Sequence, residues 1–322
     1  MRLDLPGPET PEEKGWRESG ERDLADARRS KNLDPAALRY LEGALALGEG
    51  RFAQAVTALS EYVSQDSWDA RALALLGTAH ACAGDWERAE QAATRLVELE
   101  PMFSRFKFLG DLQLALGRHK EALSAYGEAL HRSSNAAEVR CNRALCYQAL
   151  GQRAEALEDY GVAIRLRPDF ARAYNNRGTL RAEVRDFEGA ASDFVEALRH
   201  DDFYVEAYIN LGKALMMLGK IEEAARQFDL AAALDPACAD AFLGRGMARK
   251  TLGQWDGAIE DFDRVATLKP QDPETYFQRA AAHRKKGNLA QARADLRKAA
   301  SLAPEAWPRR ILVEEHLREL GD

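Results

Sequence analysis

Small and apolar residues recur along this chain at a fixed interval, and between them apolar and polar positions follow the spacing of amphipathic helices. An alanine marks the same register eight times, and successive marks lie 34 residues apart except for one interval of 33. The eight positions are Ala55, Ala89, Ala122, Ala156, Ala190, Ala224, Ala258 and Ala292. A fixed period of this length is typical of a tandem repeat array, so the fold of the chain follows from that of one repeat.

Each repeat predicts two amphipathic helices, which we call helix A and helix B. Counting from the first residue of a repeat, helix A covers places 1 to 14 and helix B covers places 17 to 30. In repeat 6, helix A begins at Val205 and places Tyr208, Leu211 and Leu215 on one stripe. A glycine at place 15 separates the helices, because the residue that ends a helix commonly has a positive φ. Only repeat 5 departs from this, with Arg185 at place 15.

One register of helix B predicts the large side chains of the core. Place 24 is aromatic in five consecutive repeats, and place 8 of helix A is glycine or alanine in all eight. The five aromatic residues are Tyr126, Tyr160, Phe194, Phe228 and Phe262. We expect them to form the core rather than a ligand site, because they lie on the same face of helix B as the recurrent alanine.

The period divides the chain into eight repeats with a segment at each end. The repeats span residues 36–69, 70–102, 103–136, 137–170, 171–204, 205–238, 239–272 and 273–306. Residues 307–322 are predicted to form a capping helix that covers the last helix B with Ile311, Leu312, Val313, Leu317 and Leu320. Residues 1–33 fit no repeat, and we expect a partly disordered start or a charged capping helix there.

Together these features resemble the tetratricopeptide repeat (TPR) family, whose units carry a small residue at place 8, glycine at 15, alanine at 20 and an aromatic residue at 24. Residues 36–306 follow that pattern, most closely in repeats 4 to 8. The resemblance implies an all-α fold, a TPR α-solenoid whose helix–turn–helix repeats form a right-handed superhelix. It also implies that helices A line a concave groove and that helices B lie on the outside.

Composition and residue spacing narrow the function. The net charge of −7 and the pI near 5.6 argue against a nucleic-acid surface, which would need a basic stripe. The six histidines and four cysteines show no metal-binding or catalytic spacing, so we expect no enzyme activity, no metal and no cofactor. No apolar run approaches the length of a membrane span, and the chain is predicted to be cytoplasmic with reduced thiols.

Three asparagines at one place of helix A are candidates for contacting a peptide. Asn142, Asn176 and Asn210 occupy place 6, which the resemblance assigns to the groove, whereas Gly244 and Gln278 end the series. An amide can pair with both the N–H and the C=O of an extended chain, and helices about 8–10 Å apart match about three extended residues. The alternative is that these amides are inherited by duplication and are merely solvated.

A second resemblance concerns modules that hold a carboxylate terminus between two helices A. Residues 141–151 are similar to the second unit of such modules, and Lys107 and Arg172 match the outer cations. Asp111 and Asn176 stand where the modules have asparagine and arginine, and Asp111 would repel a carboxylate. The resemblance therefore argues for peptide contacts at Lys107 and Arg172 but against a true carboxylate clamp.

The remaining candidate groove residues are one cation and three apolar side chains. They are Lys213, Ile209, Met247 and Phe277. The apolar side chains could accept those of a peptide or could pack against the neighbouring helix A, and the sequence leaves both alternatives open.

Charged residues at two further places occur together. Repeats 4, 5, 7 and 8 carry arginine at place 7 and aspartate at place 23, whereas the other repeats lack both. We therefore predict structural ion pairs between helices A and B of these repeats: Arg143 with Asp159, Arg177 with Asp193, Arg245 with Asp261, and Arg279 with Asp295. The alternative is common descent of a duplicated repeat without pairing.

These patterns predict a non-enzymatic adaptor that binds an extended peptide segment of a partner protein in its groove. They predict no nucleic-acid partner and no membrane insertion. Two alternatives stay open. The first is a structural or self-assembling scaffold, which includes a homo-oligomer. The second is a regulatory subunit of an enzyme on another chain.

Overall fold

The computed structural model describes residues 34–321, which form seventeen α-helices and no strand. In chain order the helices are α1 Pro35–Gly48, α2 Phe52–Gln65, α3 Ala70–Cys82, α4 Trp86–Leu99, α5 Phe103–Ala115, α6 His119–Arg132, α7 Ala137–Ala149, α8 Arg153–Leu166, α9 Ala171–Glu183, α10 Phe187–His200, α11 Val205–Met217, α12 Ile221–Leu234, α13 Ala239–Thr251, α14 Trp255–Leu268, α15 Pro273–Lys286, α16 Leu289–Leu302 and α17 Arg310–Glu319. The prediction of an all-α fold built from helix pairs is confirmed. The expectations for residues 1–33 lie outside the described residues.

The odd-numbered helices α1 to α15 are the helices A of the eight repeats, and the even-numbered helices α2 to α16 are the helices B. Each helix A packs against helix B of its own repeat. The chain divides between Leu166 and Arg167 into two compact units, an N-terminal half with α1–α8 and a C-terminal half with α9–α17. Within each half, each helix B also packs against helix A of the next repeat.

Successive helices A approach each other within each half, except that α3 and α5 make no comparable contact. In the N-terminal half α1 contacts α3 and α5 contacts α7, and in the C-terminal half α9, α11, α13 and α15 contact one another in turn. Successive helices B make no comparable contact among residues 34–321. Each half is therefore a short solenoid that curves towards its helices A, and these helices form its inner wall.

The turn from helix A to helix B depends on one residue with positive φ. Gly219, for example, has φ 74°, and equivalent glycines end helix A in six other repeats. Arg185 adopts the same conformation with φ 65° and is the only non-glycine residue in the described part of the chain to do so. The prediction that place 15 terminates helix A is confirmed, although helix A ends at place 13 rather than place 14 in repeats 1 to 7, as at Met217 in repeat 6.

The aromatic residues at place 24 form the centre of each repeat. Phe194 is 1% exposed, and Tyr126, Tyr160, Phe228 and Phe262 are completely buried. The Phe194 ring lies against the backbone of Gly178, where an added Cβ would be only 2.7 Å from Cε1 of the ring. The small residue at place 8 therefore allows helices A and B to approach closely, and these rings are core residues.

The last helix, α17, packs on the end of the C-terminal half. Val313 is completely buried, and it forms one apolar cluster with Phe277, Leu296 and partly buried Trp307. Ile311 is 69% exposed and Leu312 39%, so these two residues do not contribute to the cover. The helix begins only at Arg310, and its register turns the side chains of residues 311 and 312 to the outside.

Candidate functional site

The inner wall of the C-terminal half presents apolar and cationic side chains on α11 and α13. Lys213 is exposed and Met217 is 64% exposed, and both lie on α11. Met216 and Met247 are half-buried and contribute the adjoining apolar surface. Of the predicted groove residues, Lys213 and Met247 are therefore accessible on the inner wall of this half.

The amides of this half are partly engaged in joining successive helices A. Nδ2 of Asn210 donates a hydrogen bond to Oδ1 of Asn175, 3.1 Å away. Asn175 is 1% exposed, and its own Nδ2 lies 3.2 Å from the hydroxyl of Tyr204 and 3.4 Å from Oε1 of Glu206. Asn176 and Asn210 are half-buried. The amide of Asn210 thus helps to join α9 to α11.

Asn175 is a polar residue that the sequence analysis did not single out. It occupies place 5, where repeats 6 and 8 carry Ile209 and Phe277. The doublet of Asn175 and Asn176 was the available signal, because a polar residue at an apolar place needs a partner when it is buried. In the structure that partner is Asn210, one repeat further on.

Place 5 is buried in the C-terminal half. Ile209 is 6% exposed and belongs to the apolar core of repeats 5 to 7. Phe277 is also 6% exposed, and its ring lies edge-on to Trp307 at 6.1 Å and parallel to His316 at 6.0 Å. Of the two alternatives for these apolar residues, packing within the chain is the one that the structure shows. Neither side chain is available to a ligand.

The asparagine series ends at Gly244 for a steric reason. A Cβ at this position would lie 2.3 Å from Cε1 of Phe228, the core ring of the preceding repeat. In the next repeat Gln278 is 2% exposed, and its Nε2 donates to Oε1 of Glu274 at 2.6 Å. Nζ of Lys250 donates to the side-chain carbonyl oxygen of Gln278.

In the N-terminal half the predicted residues converge on Asp111. Nδ2 of Asn142 lies 3.0 Å from its Oδ1, the Tyr126 hydroxyl donates to the same oxygen at 2.7 Å, and Nζ of Lys107 is 2.8 Å from Oδ2. Burial and the Asp111 carboxylate raise the pKa of Cys146 to about 12, so its thiol stays protonated. Asn142 is 7% exposed. Asn142 and Lys107 are therefore engaged in a polar cluster that joins α5, α6 and α7.

The last predicted cation, Arg172, is exposed on α9 of the C-terminal half. Its guanidinium carbon lies 5.3 Å from the centre of the Phe170 ring, within the range of a cation–π contact. This contact keeps the side chain near the start of α9.

The four arginine–aspartate sets lie where helix A meets helix B. The aspartates are 2% to 6% exposed, and each arginine contacts its aspartate within the same repeat. The closest contacts are Arg143–Asp159 at 2.6 Å, Arg177–Asp193 at 2.7 Å, Arg245–Asp261 at 2.6 Å and Arg279–Asp295 at 2.6 Å. The hydrogen bond to Asp159 is the main cause of the raised pKa of Arg143. Each set therefore links helix A to helix B within its own repeat.

Two of these arginines also reach the preceding repeat. Arg279 contacts Asp263 at 2.6 Å, and Arg245 contacts Asp229. Both aspartates stand at place 25, two residues after place 23, where the predicted ion-pair aspartates lie. The second contact links adjacent repeats, which a pattern confined to one repeat does not show.

Residues 34–321 contain neither a cluster of metal-binding side chains nor a helix that could span a membrane. Within that range no three His, Cys, Asp or Glu side chains lie close enough together to hold a metal ion. No helix in the same range has the length and apolar character needed to cross a membrane.

Comparison with known proteins supports the repeat assignment. Models of the tetratricopeptide repeat match residues 46–109, 137–170, 175–237, 209–273 and 273–306, which together exceed half of the chain. No curated protein matches the chain in sequence.

Three solved structures illustrate the similarity of fold. A tetratricopeptide repeat protein from Parabacteroides merdae is 23% identical with a TM-score of 0.57, covering 79% of this chain and 99% of its own. YrrB, described as a TPR protein with an unusual peptide-binding site, is 22% identical with a TM-score of 0.53, covering 61% and 99%. The APC/C hetero-tetramer Cut9–Hcn1 matches at 15% identity with a TM-score of 0.59, covering 94% and 59%.

The family models identify the same repeat as the structure does. Its marks are the helix pairs, the glycine turns and the small and aromatic core places. The chain belongs to the tetratricopeptide repeat family, whose repeats are protein-interaction modules.

Proposed function

We propose that the chain is a non-catalytic adaptor and that the inner wall of its C-terminal half binds an extended segment of a partner protein. The observation that carries this proposal is the apolar surface of Met216, Met217 and Met247 on adjacent helices A. Met217 is 64% exposed. Methionine side chains are flexible and polarisable, and they are common on surfaces that adapt to the apolar side chains of a ligand.

The neighbouring amides suit the backbone of such a segment. Asn210 donates through Nδ2 to Asn175, and a primary amide has a second N–H and an acceptor oxygen for further partners. Asn176 stands at the equivalent place of α9 and is also half-buried. Hydrogen bonds from these two amides would hold an extended chain without reading its sequence, and the methionines would contact its side chains. The peptide-binding site described for YrrB is consistent with this use of the fold.

The methionine methyl groups of the chain can report where a peptide binds. It has five methionines, and ¹³C-methyl labelling gives each a separate NMR signal. Peptides would be selected from a random display library against the full chain and then titrated into the labelled protein. We expect shifts at Met216, Met217 and Met247. Met102 should stay unchanged, because it is 54% exposed but belongs to the N-terminal half, in the loop before α5.

The outcomes separate the proposal from its alternatives. Enriched peptides that shift Met102 and leave the three inner-wall signals unchanged would contradict it. A library that yields no peptide would also contradict it. In that case, a molecular mass that rises with concentration in light scattering would favour the self-assembling scaffold instead.

A further inference from the structure

Two lysines and two methionines form a square on the inner wall of the C-terminal half. Lys213 on α11 and Met247 on α13 occupy place 9, and Met216 on α11 and Lys250 on α13 occupy place 12. Residues three apart lie on the same face of a helix, one turn along it. The two helices are in contact, so each lysine lies diagonally opposite the other and the methionines occupy the second diagonal.

Neither lysine has a carboxylate partner among residues 34–321. Lys213 is exposed, and Lys250 is half-buried and donates only to the neutral amide of Gln278. The nearby carboxylate of Glu274 is already engaged, because its Oε2 lies 3.2 Å from Nε of Arg309. Burial, followed by repulsion from Arg309, lowers the pKa of Lys250, and the more distant charge of Glu274 only partly opposes this. A carboxylate beside Lys250 would offset the cost of holding this charge out of water.

The acidic residues at the other end of these helices are also engaged within the chain. Asp240 is 2.7 Å from Nζ of Lys269, and Oε1 of Glu206 accepts from Asn175 at 3.4 Å. Lys269 offsets the charge of Asp240, whereas Glu206 keeps its charge because its partner is a neutral amide. Glu206 lies seven residues before Lys213, about two helical turns away, so the charge next to the square itself is positive.

We propose that this square recognises an acidic segment in which aspartate or glutamate alternates with bulky apolar residues. The proposal rests on the proposed function above and names the class of peptide. Lys213 and Lys250 bind carboxylates, and Met216 and Met247 contact the apolar side chain between them. Helices about 8–10 Å apart and a shift of one turn place the lysines about 10 Å apart, which about three extended residues span.

A set of matched probes tests the ligand class. One is a short fluorescein-labelled peptide with the repeat glutamate–leucine–serine, which places successive glutamates three residues apart, and two counterparts replace every glutamate by glutamine or by lysine. We expect the glutamate peptide to bind the full chain most tightly and to lose affinity as salt is added, because salt screens the charges. Equal or tighter binding of the glutamine or lysine peptide would overturn the proposal.

Substitutions then locate the contacts. Lys213→Gln is expected to weaken binding of the glutamate peptide by about threefold and Lys250→Gln by about tenfold, because Lys250 is the more desolvated. Lys220→Gln, an exposed lysine in the turn after α11, makes the same charge change and should have no effect. Lys213 is exposed, so Lys213→Gln still decides the question if Lys250→Gln fails to fold.

The result can be separated from the test of the proposed function. If selected peptides shift the three inner-wall methionines but carry no acidic residues, the proposed function stands and this inference falls. If Lys213→Gln binds the glutamate peptide as tightly as Lys220→Gln, the inference falls as well. If neither the library nor the probes yield binding, both are contradicted.

Discussion

Arg177 donates two parallel hydrogen bonds to Asp193, from Nε to Oδ2 at 2.9 Å and from Nη2 to Oδ1 at 2.7 Å. Asp193 is 2% exposed, and Arg181 provides a second cation at 2.9 Å from Oδ2. Both arginines lie on α9 and the aspartate on α10, so the three residues join the two helices of repeat 5. A buried carboxylate held in this way is stable only while its partners remain.

The first prediction is that Arg177 and Asp193 are energetically coupled. Asp193→Ala should lower the free energy of unfolding of the C-terminal half by about 3–5 kcal/mol, because it leaves two guanidinium groups without their carboxylate. Arg177→Ala should cost less, since Arg181 still contacts Asp193. The double variant should be clearly more stable than the sum of the two losses implies, as measured by a double-mutant cycle in denaturant.

An exposed pair in the same half provides the control for this cycle. Lys269 and Asp240 lie 2.7 Å apart, but their side chains are 54% and 52% exposed. Exposed pairs contribute about 0.2–1 kcal/mol, so this cycle should give a small coupling energy. Simple additivity at Arg177 and Asp193 would show that the observed pair does not stabilise the repeat.

The repeat itself could be predicted from the sequence because its determinants are local. The glycine at place 15 ends helix A through its own φ, and the Phe194 ring requires a small residue such as Gly178 in the helix it faces. Each of these relationships recurs with the period. One repeat therefore predicts the helices and the core places of the others.

The candidate site was only partly predictable, because its surface depends on contacts between repeats. The sequence could not show that Asn210 donates to Asn175, or that Trp307 covers Phe277. Which face of helix A stays accessible depends on the distance and angle between successive helices A. Lys213 and Met247 remain accessible, whereas Ile209 at a neighbouring place is buried.

The second prediction concerns the left-handed conformation of Arg185. Its φ is 65°, and a side chain in this region costs about 1–2 kcal/mol relative to the ordinary helical region. Arg185→Gly should therefore stabilise the C-terminal half by about 1 kcal/mol, since glycine adopts positive φ without steric cost. Chemical denaturation measures the change.

The reverse substitution completes that comparison. Gly219 has φ 74° at the equivalent turn of repeat 6, and Gly219→Arg should destabilise the same half by about 1 kcal/mol. If both substitutions are neutral, the turn does not impose the strain that its φ indicates.

The third prediction is a loss of stability in the N-terminal half as the pH falls. His80 is 6% exposed, and burial is the main cause that lowers its pKa below the ordinary 6.5, with Arg88 adding to this and Asp85 opposing it. The unfolded chain therefore binds a proton more readily than the folded chain. The stability that neutral His80 contributes is present above pH 6.5 and decreases as the pH falls below that value.

Denaturation in a pH series tests this effect. His80→Gln should reduce the difference in stability between about pH 7.5 and about pH 5.5, because glutamine does not titrate. His131→Gln, at an exposed position of α6 in the same half, should leave the difference unchanged. An unaltered pH dependence in His80→Gln would show that other groups cause it.

The fourth prediction is that α17 depends on one buried side chain. Val313 is completely buried in the cluster with Phe277 and Leu296, so Val313→Asp would bury a charge without a partner. We expect a loss of about 3 kcal/mol or more, and detachment of α17 from the end of the C-terminal half. Hydrogen exchange should then accelerate in α17 and in α15, because Phe277 loses its cover.

Ile311→Asp makes the same chemical change at a position that is 69% exposed, and it should leave the exchange of both helices unchanged. Equal protection in the two variants would contradict the capping role of α17.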